Sequence, residues 1–150
     1  MQDIAGCRHV CRGIREQDDV VARAADLFAG TRVIDRRNRP SHGYRAVHLL
    51  VPVEGYQIEL QVRTELQQVW AQLSERLADR YGQGIKYGEG DDELLNMLTG
   101  TSLLMARLEE SEISSGLERA ELLATARDGI LQVTREMLKR IDTPINGSVE

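Results

Sequence analysis

The sequence predicts an α/β or α+β fold, in which helices flank one mixed β-sheet and a helical segment forms the C-terminal end. Two observations support this fold class. Up to Thr64, short strand-like segments surround one helix-like segment. From Glu65 onward, apolar residues recur at the helical period of about 3.6 residues rather than the strand period of two. Because 150 residues suit one domain, we assign residues 1–90 to a core and residues 91–150 to a helical segment of the same domain.

The chain begins with three short elements and a loop. They are a strand at residues 7–11, a helix at residues 20–28, a strand at residues 31–35 and a polar, basic loop at residues 36–42. Asp18 or Asp19 can cap the helix, because both residues come just before its first apolar positions. Gly30 can end it, since glycine readily adopts the backbone conformation that terminates helices.

A β-hairpin follows, with its turn at Glu54-Gly55. A two-residue hairpin loop would fix which residues of the two strands face each other. The predicted pairs are Val53 with Tyr56, Leu50 with Glu59, His48 with Gln61, and Ala46 with Arg63. This register is therefore a direct test of the predicted hairpin.

The two faces of this hairpin differ in character, because side chains alternate along a strand. One face is apolar and predicts a core: Val47, Leu49, Val51, Ile58, Leu60 and Val62. The other is polar: Tyr44, His48, Glu59, Gln61 and Arg63. A solvated sheet face and the floor of a polar site both fit this pattern. The mixed chemistry of the polar face favours a site, and the cations Arg36, Arg37, Arg39 and Arg45 before it favour an anionic ligand.

The rest of the chain predicts three helices separated by short breaks. The first begins at Glu65 and ends at Gly82, with one apolar stripe: Leu66, Val69, Trp70, Leu73, Leu77 and Tyr81. Residues 82–90 form a loop that carries Lys86. Asp91 or Asp92 then caps a helix with these inner residues: Leu94, Leu95, Met97, Leu98, Leu104, Met105 and Leu108. A break at residues 114–116 precedes a last helix that runs to about Ile141.

The net charge of −5 argues against a protein that binds nucleic acid over its whole surface. The charge is unevenly distributed along the chain. Residues 1–63 contain ten Arg and eight acids, giving +2, whereas residues 64–150 contain nine Lys or Arg and sixteen acids, giving −7. The basic half contains the hairpin, as expected if phosphates bind there.

The two cysteines, Cys7 and Cys11, predict neither a disulfide nor a metal site. In a strand they point the same way but lie too far apart for a disulfide. Only His9 is close to them in sequence, so a metal site would lack ligands. We interpret both as buried thiols in a reducing cytoplasm. No apolar run approaches about 18 residues and no signal-peptide pattern occurs, so we predict a cytoplasmic protein without a membrane segment.

Three groups of residues, in the right order and at plausible spacings, closely resemble the synthetase domain of the RelA/SpoT family. They are Asp3-Ile4-Ala5-Gly6-Cys7-Arg8, Gly43-Tyr44-Arg45-Ala46-Val47-His48, and Glu59-Leu60-Gln61-Val62-Arg63-Thr64 with the following Gln68-Val69-Trp70-Ala71. Members of this family are alarmone synthetases, which transfer pyrophosphate from ATP to the 3′-hydroxyl of GDP or GTP in the stringent response. The resemblance implies a nucleotidyltransferase-like sheet, this activity, these nucleotides as partners and Mg²⁺ as cofactor. It extends to about Tyr87, and the residues from Asp91 onward carry no recognisable motif.

The resemblance also implies roles for individual residues. Asp3 and Glu59 match the motif acids, so Asp3 is expected to bind Mg²⁺ and Glu59 to be a second metal ligand or the general base. Tyr44 matches the tyrosine that stacks on the guanine of the acceptor nucleotide.

Three further residues, His48, Gln61 and Arg63, match motif positions on the same face. His48 and Arg63 are expected to contact phosphates or orient Glu59, and Gln61 is expected to be a positioning group. Arg63 could equally be structural, holding Glu59 by a salt bridge. Weaker candidates for phosphate contacts are Arg36, Arg39, Arg45 and Lys86.

One departure from the family concerns ATP. The family's synthetase domain normally has a strand and helices before the first motif, and these carry the Arg, Ser and Lys that hold the ATP phosphates. This sequence begins two residues before that motif, so we expect the 150-residue chain alone to have little pyrophosphokinase activity. Three explanations remain open: an internal Met taken as the start of a longer gene, a remnant that no longer catalyses, or a fragment that works with a partner chain.

Two other functions also remain open. Some small members of the family pyrophosphorylate the 3′ end of tRNA as toxins, which would require a basic surface that holds an RNA stem. The acidic second half of the chain gives little sign of such a surface. The other alternative is a non-catalytic module that binds guanine nucleotides or a protein. The helical tail could pair with a second copy in a homo-oligomer, although packing within one chain is the commoner use of such apolar stripes.

Overall fold

A computed structural model describes residues 5–114 and 117–142 of the chain. Four strands form one mixed sheet: β1 (Ala5–Cys11), β2 (Arg32–Asp35), β3 (Val47–Val53) and β4 (Tyr56–Thr64). Four α-helices accompany it: α1 (Ile14–Leu27), α2 (Glu65–Tyr81), α3 (Asp92–Ser114) and α4 (Leu117–Asp142). A short 3-10 helix, Gln83–Tyr87, lies within the loop predicted at residues 82–90. The α+β class predicted from the sequence is confirmed.

The sheet has the strand order β1-β4-β3-β2. β1 runs parallel to β4, and the other two neighbouring pairs are antiparallel. The hairpin turn is the predicted one, since Glu54 and Gly55 have φ angles of 48° and 85°, as a type I′ turn requires. Leu50 therefore faces Glu59 and His48 faces Gln61, as predicted. β3 begins at Val47, so the predicted Ala46–Arg63 pair lies just outside the ladder.

Two apolar clusters form the core. The first lies between the sheet and α1 and consists of Cys11, Val47, Leu49, Val51 and Val62, against which Val20, Val21 and Ala24 of α1 pack. The second joins α2, α3 and α4 and includes Leu66, Trp70, Leu73, Leu77, Leu98, Met105 and Leu131. Burial of this apolar surface is the main driving force for folding. No helix among the described residues is both long and apolar enough to cross a lipid bilayer.

Helix α2 was predicted with the correct ends because its sequence carries both end signals. Thr64 and Gln67 form a reciprocal capping box at its start, and Gly82 caps its end. Its predicted apolar stripe is buried except at the last position, where Tyr81 is 63% exposed. Including Tyr81 in the stripe was therefore wrong, because the helix ends there and α2 projects this ring into solvent.

Helix α1 begins at Ile14, well before the start predicted from Asp18 or Asp19. The first turn is held by Gln17, which is fully buried and donates from Nε2 to the Val62 carbonyl at 2.8 Å and to Gln67 Oε1 at 2.9 Å. A buried glutamine breaks the apolar pattern from which the helix start was predicted. The hydrogen bonds, not apolar burial, anchor this turn.

The inner face of α3 also differs from the prediction. Leu104 is 66% exposed and Met97 is 38% exposed, so neither belongs to the core. The buried residues of α3 are Leu98, Ser102, Met105 and Glu109, which recur at the helical spacing. Two of these four are polar, and both are hydrogen-bonded to the hairpin region of the chain. Helix α3 therefore reaches the part of the chain that carries the polar residues.

Candidate functional site

The polar face of the hairpin forms one connected set of hydrogen bonds. Tyr44 Oη lies 3.0 Å from His48 Nε2, and His48 Nδ1 is hydrogen-bonded to a Glu59 carboxylate oxygen. Arg63 donates from one terminal nitrogen to Tyr44 Oη at 2.9 Å. The structure thus brings together Tyr44, His48, Glu59 and Arg63, as predicted from the alternation of side chains. Their roles with a substrate stay predictions.

One assignment of protons satisfies every member of this chain. Arg63 can only donate, so Tyr44 Oη accepts from it and donates its own proton onward to His48 Nε2. His48 then carries its proton on Nδ1 and donates it to Glu59. The His48 imidazole therefore orients the Glu59 carboxylate, which is a common arrangement for metal-binding or proton-accepting carboxylates.

Gln61 extends the set toward strand β1. Its Nε2 donates to the second Glu59 oxygen at 3.4 Å, and its Oε1 accepts from Arg8 Nε at 3.4 Å. Arg8 reaches Gln61 because β1 pairs with β4 in parallel and places these two residues side by side. Both oxygens of Glu59 thus accept hydrogen bonds from neighbouring side chains, and the positioning role of Gln61 stays a prediction.

Glu59 is ionised more readily than an ordinary glutamate. Partial burial alone would raise its pKa, but the hydrogen bond and charge of His48, the hydrogen bond from Gln61 and the charge of Arg63 together outweigh burial and lower the pKa. The Glu59 side chain remains 24% exposed, so a ligand can reach the carboxylate. The sheet therefore presents an accessible, oriented anion.

This lowered pKa gives a prediction for stability as a function of pH. A carboxylate with a folded-state pKa below its ordinary value of 4.5 stabilises the folded state fully above that value. That contribution is lost as the pH falls through the lower folded-state pKa. We expect Glu59→Gln to be less stable than the parent at neutral pH and the difference to shrink progressively below about pH 4.5. Urea unfolding at a series of pH values measures the difference in the free energy of unfolding between the parent and the variant. A difference that does not change with pH would contradict the prediction.

Arg63 does not make the salt bridge to Glu59 that was one of its predicted roles, and its contact with phosphates stays a prediction. It is 3% exposed, donates to Gln68 Oε1 at 3.0 Å and lies over the Tyr44 ring, with its guanidinium carbon 5.1 Å from the ring centroid. It makes no ion pair with Glu59 among the described residues, where the Glu59 carboxylate instead contacts His48 Nδ1. The predicted salt bridge to Glu59 is therefore wrong. Arg63 instead fixes the position of Tyr44 from beneath, while its Nε has no hydrogen-bond partner among the described residues.

A glycine positions Tyr44 at the start of the hairpin. Gly43 has a φ of +88°, and a Cβ there would lie 2.6 Å from the Trp70 ring of α2. Its carbonyl accepts a hydrogen bond from Ser102 Oγ of α3 at 2.6 Å. Only glycine fits both this conformation and this close approach. The two helices therefore fix the turn from which Tyr44 projects, and Trp70 is a core residue, as predicted.

Arg45 does not lie on the polar face, so its prediction as a phosphate contact requires correction. Its side chain is 8% exposed, and its guanidinium pairs with the buried Glu109 carboxylate of α3 at 2.8 Å. Glu109 also accepts from the Thr64 hydroxyl and, at 3.4 Å, from Gln67 Nε2. Because neighbouring residues in an extended chain point to opposite sides, Tyr44 faces the site and Arg45 faces the interior.

The other predicted cations lie on the surface of the protein. Arg36 and Arg39 are exposed in the loop before Tyr44, and Lys86 is exposed in the 3-10 helix. In the same loop, Arg37 is fixed by ion pairs with Asp18 and Asp35, both at 2.6 Å. Contacts of Arg36, Arg39 and Lys86 with phosphates stay predictions.

Asp3 lies outside the described residues, so its predicted role as a metal ligand stays a prediction. The parallel register places Gly6, at the start of β1, beside Glu59. Glu59 itself suits Mg²⁺, because it is an accessible, ionised oxygen donor, and Mg²⁺ needs only one or two protein carboxylates besides phosphates and waters.

Sequence reasoning missed three contributors to this region: Arg8, Gln68 and Glu109. Arg8 and Gln68 belong to the family-like motifs, but only the parallel pairing of β1 and the start of α2 reveal their contacts. Glu109 lies in a segment without a motif. Its signal is the helical spacing of Leu98, Ser102, Met105 and Glu109, which a purely apolar pattern overlooks.

No family model matches the chain. Uncharacterised proteins of Mycobacterium tuberculosis and Mycobacterium bovis are 40% identical to it over 97 residues, which is 63% of this chain and 36% of those proteins. The chain thus spans about a third of the length of these curated relatives.

Solved structures give a closer comparison of the fold. A GTP pyrophosphokinase family protein from Streptococcus pneumoniae superposes with a TM-score of 0.59 at 26% identity, over 83% of this chain and 64% of that one. Small alarmone synthetase 1 from Bacillus subtilis, bound to its product pppGpp, superposes with a TM-score of 0.57 at 25% identity, over 75% of this chain and 61% of that one. Small alarmone synthetase 2 from the same organism shares the fold, with a TM-score of 0.59 at 24% identity over 75% of this chain and 64% of that one. These likenesses support a RelA/SpoT-like synthetase domain with a fold similar to that of the small alarmone synthetases.

Proposed function

We propose that this domain binds a guanine nucleotide on the polar face of the hairpin and serves the transfer of pyrophosphate from ATP to the 3′-hydroxyl of GDP or GTP. The observation that carries this proposal is the hydrogen-bonded set of Tyr44, His48, Glu59 and Arg63. It combines an aromatic ring for a base with an oriented carboxylate for a metal ion or a proton. The solved relative from Bacillus subtilis with pppGpp bound supports a guanine nucleotide as ligand.

Pyrophosphoryl transfer requires little covalent chemistry from a protein. It depends on positioning the acceptor hydroxyl and on compensating the charge of the phosphates. Glu59 would hold Mg²⁺, with Asp3 as the expected second ligand, or accept the proton of the attacking hydroxyl. Bound Mg²⁺ would compensate phosphate charge. His48 and Gln61 keep the Glu59 carboxylate in one orientation throughout, so no reorganisation is needed when the charge develops.

The activity is tested on the intact gene product with labelled ATP, GDP or GTP, and Mg²⁺. We expect label from the β- and γ-phosphates of ATP to appear on the 3′ position of the guanine nucleotide. Transfer to the 3′ end of tRNA, with none to free nucleotides, would contradict the proposal and favour the tRNA-modifying alternative. Absence of transfer to either acceptor, with guanine nucleotide binding retained, would favour a binding module.

Guanine binding is tested separately from catalysis, with the 150-residue chain. If the Tyr44 ring stacks on the base, Tyr44→Ala should weaken GDP binding by about 1–3 kcal/mol. Tyr44→Phe keeps the ring and loses the hydroxyl bonded to His48 and Arg63, so it should retain most of the affinity. Isothermal titration calorimetry measures both variants, with ATP as the competing nucleotide. Equal affinities of the parent and Tyr44→Ala for GDP, or no preference for GDP over ATP, would contradict an acceptor site at Tyr44.

A further inference from the structure

A second group of potential ligands lies on the other side of the sheet. His9 and Cys11 project from the same face of β1, since they are two residues apart in a strand, and Glu16 lies in the first turn of α1. One donor atom from each of these three residues lies within 4.8 Å of the other two. The side chain of Arg8, which precedes His9 in the strand, points to the opposite face of the sheet, where it donates a hydrogen bond to Gln61. The group is therefore separated from the polar site by the sheet.

The chemistry of this group is that of a transition-metal site. It combines an imidazole, a thiol and a carboxylate, which are the three ligand types that Zn²⁺ accepts. With Zn–S bonds of about 2.3 Å and Zn–N or Zn–O bonds of about 2.0–2.2 Å, tetrahedral ligand atoms lie roughly 3.3–3.7 Å apart. Rotations of the exposed His9 and Glu16 side chains can close the present spacing to that distance.

Without a metal ion, the surroundings of Cys11 oppose ionisation of its thiol. Its side chain is fully buried, and burial together with the nearby Glu16 carboxylate raises the pKa of the thiol to about 11. A thiolate and a carboxylate so close together repel each other. A divalent cation between them removes this repulsion and provides the charge that the buried sulfur lacks. One Glu16 oxygen accepts from Arg12 N–H at 2.7 Å, which holds the carboxylate beside β1 and leaves the other oxygen as a ligand.

We propose that His9, Cys11 and Glu16 bind one thiophilic divalent metal ion, preferably Zn²⁺, with water in the fourth position. Binding releases the Cys11 thiol proton to solvent and forms a sulfur–metal bond. The ion joins the last residues of β1 to the first turn of α1, and β1 is the strand that flanks Glu59. The sequence gave no sign of this site, because one of its three ligands, Glu16, comes from the following helix and not from the segment around the two cysteines. Mg²⁺ does not compete, since it prefers oxygen ligands.

The test is a titration of the untagged, chelator-treated protein with Co²⁺, followed by Zn²⁺. We expect one Co²⁺ per chain, a thiolate-to-cobalt charge-transfer band and the visible absorption of a tetrahedral ion. Zn²⁺ should abolish both signals, whereas excess Mg²⁺ should leave them unchanged. Zn²⁺ should also raise the melting temperature of the parent. These readouts do not depend on synthetase activity.

The ligand assignment is tested with variants at the two exposed positions, which avoid disrupting the core. His9→Ala and Glu16→Gln should each weaken Co²⁺ binding by at least about tenfold. Losing even a residue that only hydrogen-bonds a metal ligand lowers metal affinity by about 10–100-fold. Cys7 is exposed, so the prediction of a buried thiol was wrong for this residue. Cys7→Ser is therefore the matched control, because it removes this other thiol and should bind Co²⁺ like the parent. Absence of the charge-transfer band, unchanged affinity in both ligand variants, or loss of binding in Cys7→Ser would overturn the proposal.

Discussion

Replacing Glu109 with alanine should lower the free energy of unfolding by about 3–5 kcal/mol, the usual effect of removing one partner of a buried ion pair. The Glu109 side chain is 1% exposed and is the ion partner of Arg45, whose own side chain is 8% exposed. Without the carboxylate, the Arg45 charge stays buried without its counter-ion. The Thr64 hydroxyl and Gln67 Nε2 also lose an acceptor. Urea unfolding of the parent and the variant measures the difference.

Glu110→Ala is the control, because it removes the same chemical group from the next position of the same helix, where the side chain is exposed. We expect it to change stability by no more than about 0.5 kcal/mol. Replacing Arg45 and Glu109 together by apolar residues of similar size should recover much of the loss, because no unpaired charge then remains in the interior. Equal effects of Glu109→Ala and Glu110→Ala would show that the pair contributes nothing to stability.

The contacts of Glu109 with Arg45, Thr64 and Gln67 explain how α3, a helix without a recognisable motif, supports the site. Glu109 bonds Thr64, the residue that ends β4 and caps α2, and it pairs with Arg45, the neighbour of Tyr44. Both ends of the polar face are thus attached to α3 through one carboxylate. Loss of the network should therefore loosen the spacing between Tyr44 and Arg63 as well as lower global stability.

The parts of this fold that could be predicted from sequence are those whose signals are local. The hairpin register follows from a two-residue turn at Glu54-Gly55, and the polar face follows from that register. The ends of α2 follow from its caps. These features need no knowledge of distant contacts, since turn and cap geometry depends on a few neighbouring residues.

The parts that could not be predicted depend on polar groups buried through distant hydrogen bonds. Gln17 anchors α1 to Val62 and Gln67, which lie far along the chain, so the start of α1 was placed too late. Ser102 and Glu109 take core positions on α3 in the same way. A pattern that equates buried with apolar fails at these residues, because a satisfied hydrogen bond offsets much of the desolvation of a polar group. The contact of Arg8 with Gln61 likewise depends on the parallel register of β1 and β4.

The second large effect concerns Glu59. Glu59→Gln should lower kcat by roughly 10²-fold or more, whether the carboxylate binds Mg²⁺ or accepts the proton of the attacking hydroxyl. The substitution keeps the shape of the side chain, and an amide oxygen can still accept the hydrogen bond from His48 Nδ1. What it removes is the negative charge, which the low pKa of Glu59 keeps present at neutral pH. Steady-state kinetics of the intact gene product with ATP and GDP measure the effect.

The kinetic parameter that changes, kcat or KM, shows whether Glu59 acts in the reaction step or only in nucleotide binding. A group that acts mainly in the transition state changes kcat and kcat/KM together, whereas a group that only binds the nucleotide changes KM. Glu75→Gln is the matched control, because Glu75 lies exposed on α2 and its neutralisation should leave both parameters unchanged. Calorimetry on Glu59→Gln should show GDP affinity close to that of the parent when Mg²⁺ is absent, since the base is expected to bind at Tyr44. An unchanged kcat would make Glu59 a structural partner of His48, and the polar face would then bind a nucleotide without this carboxylate contributing to its reaction.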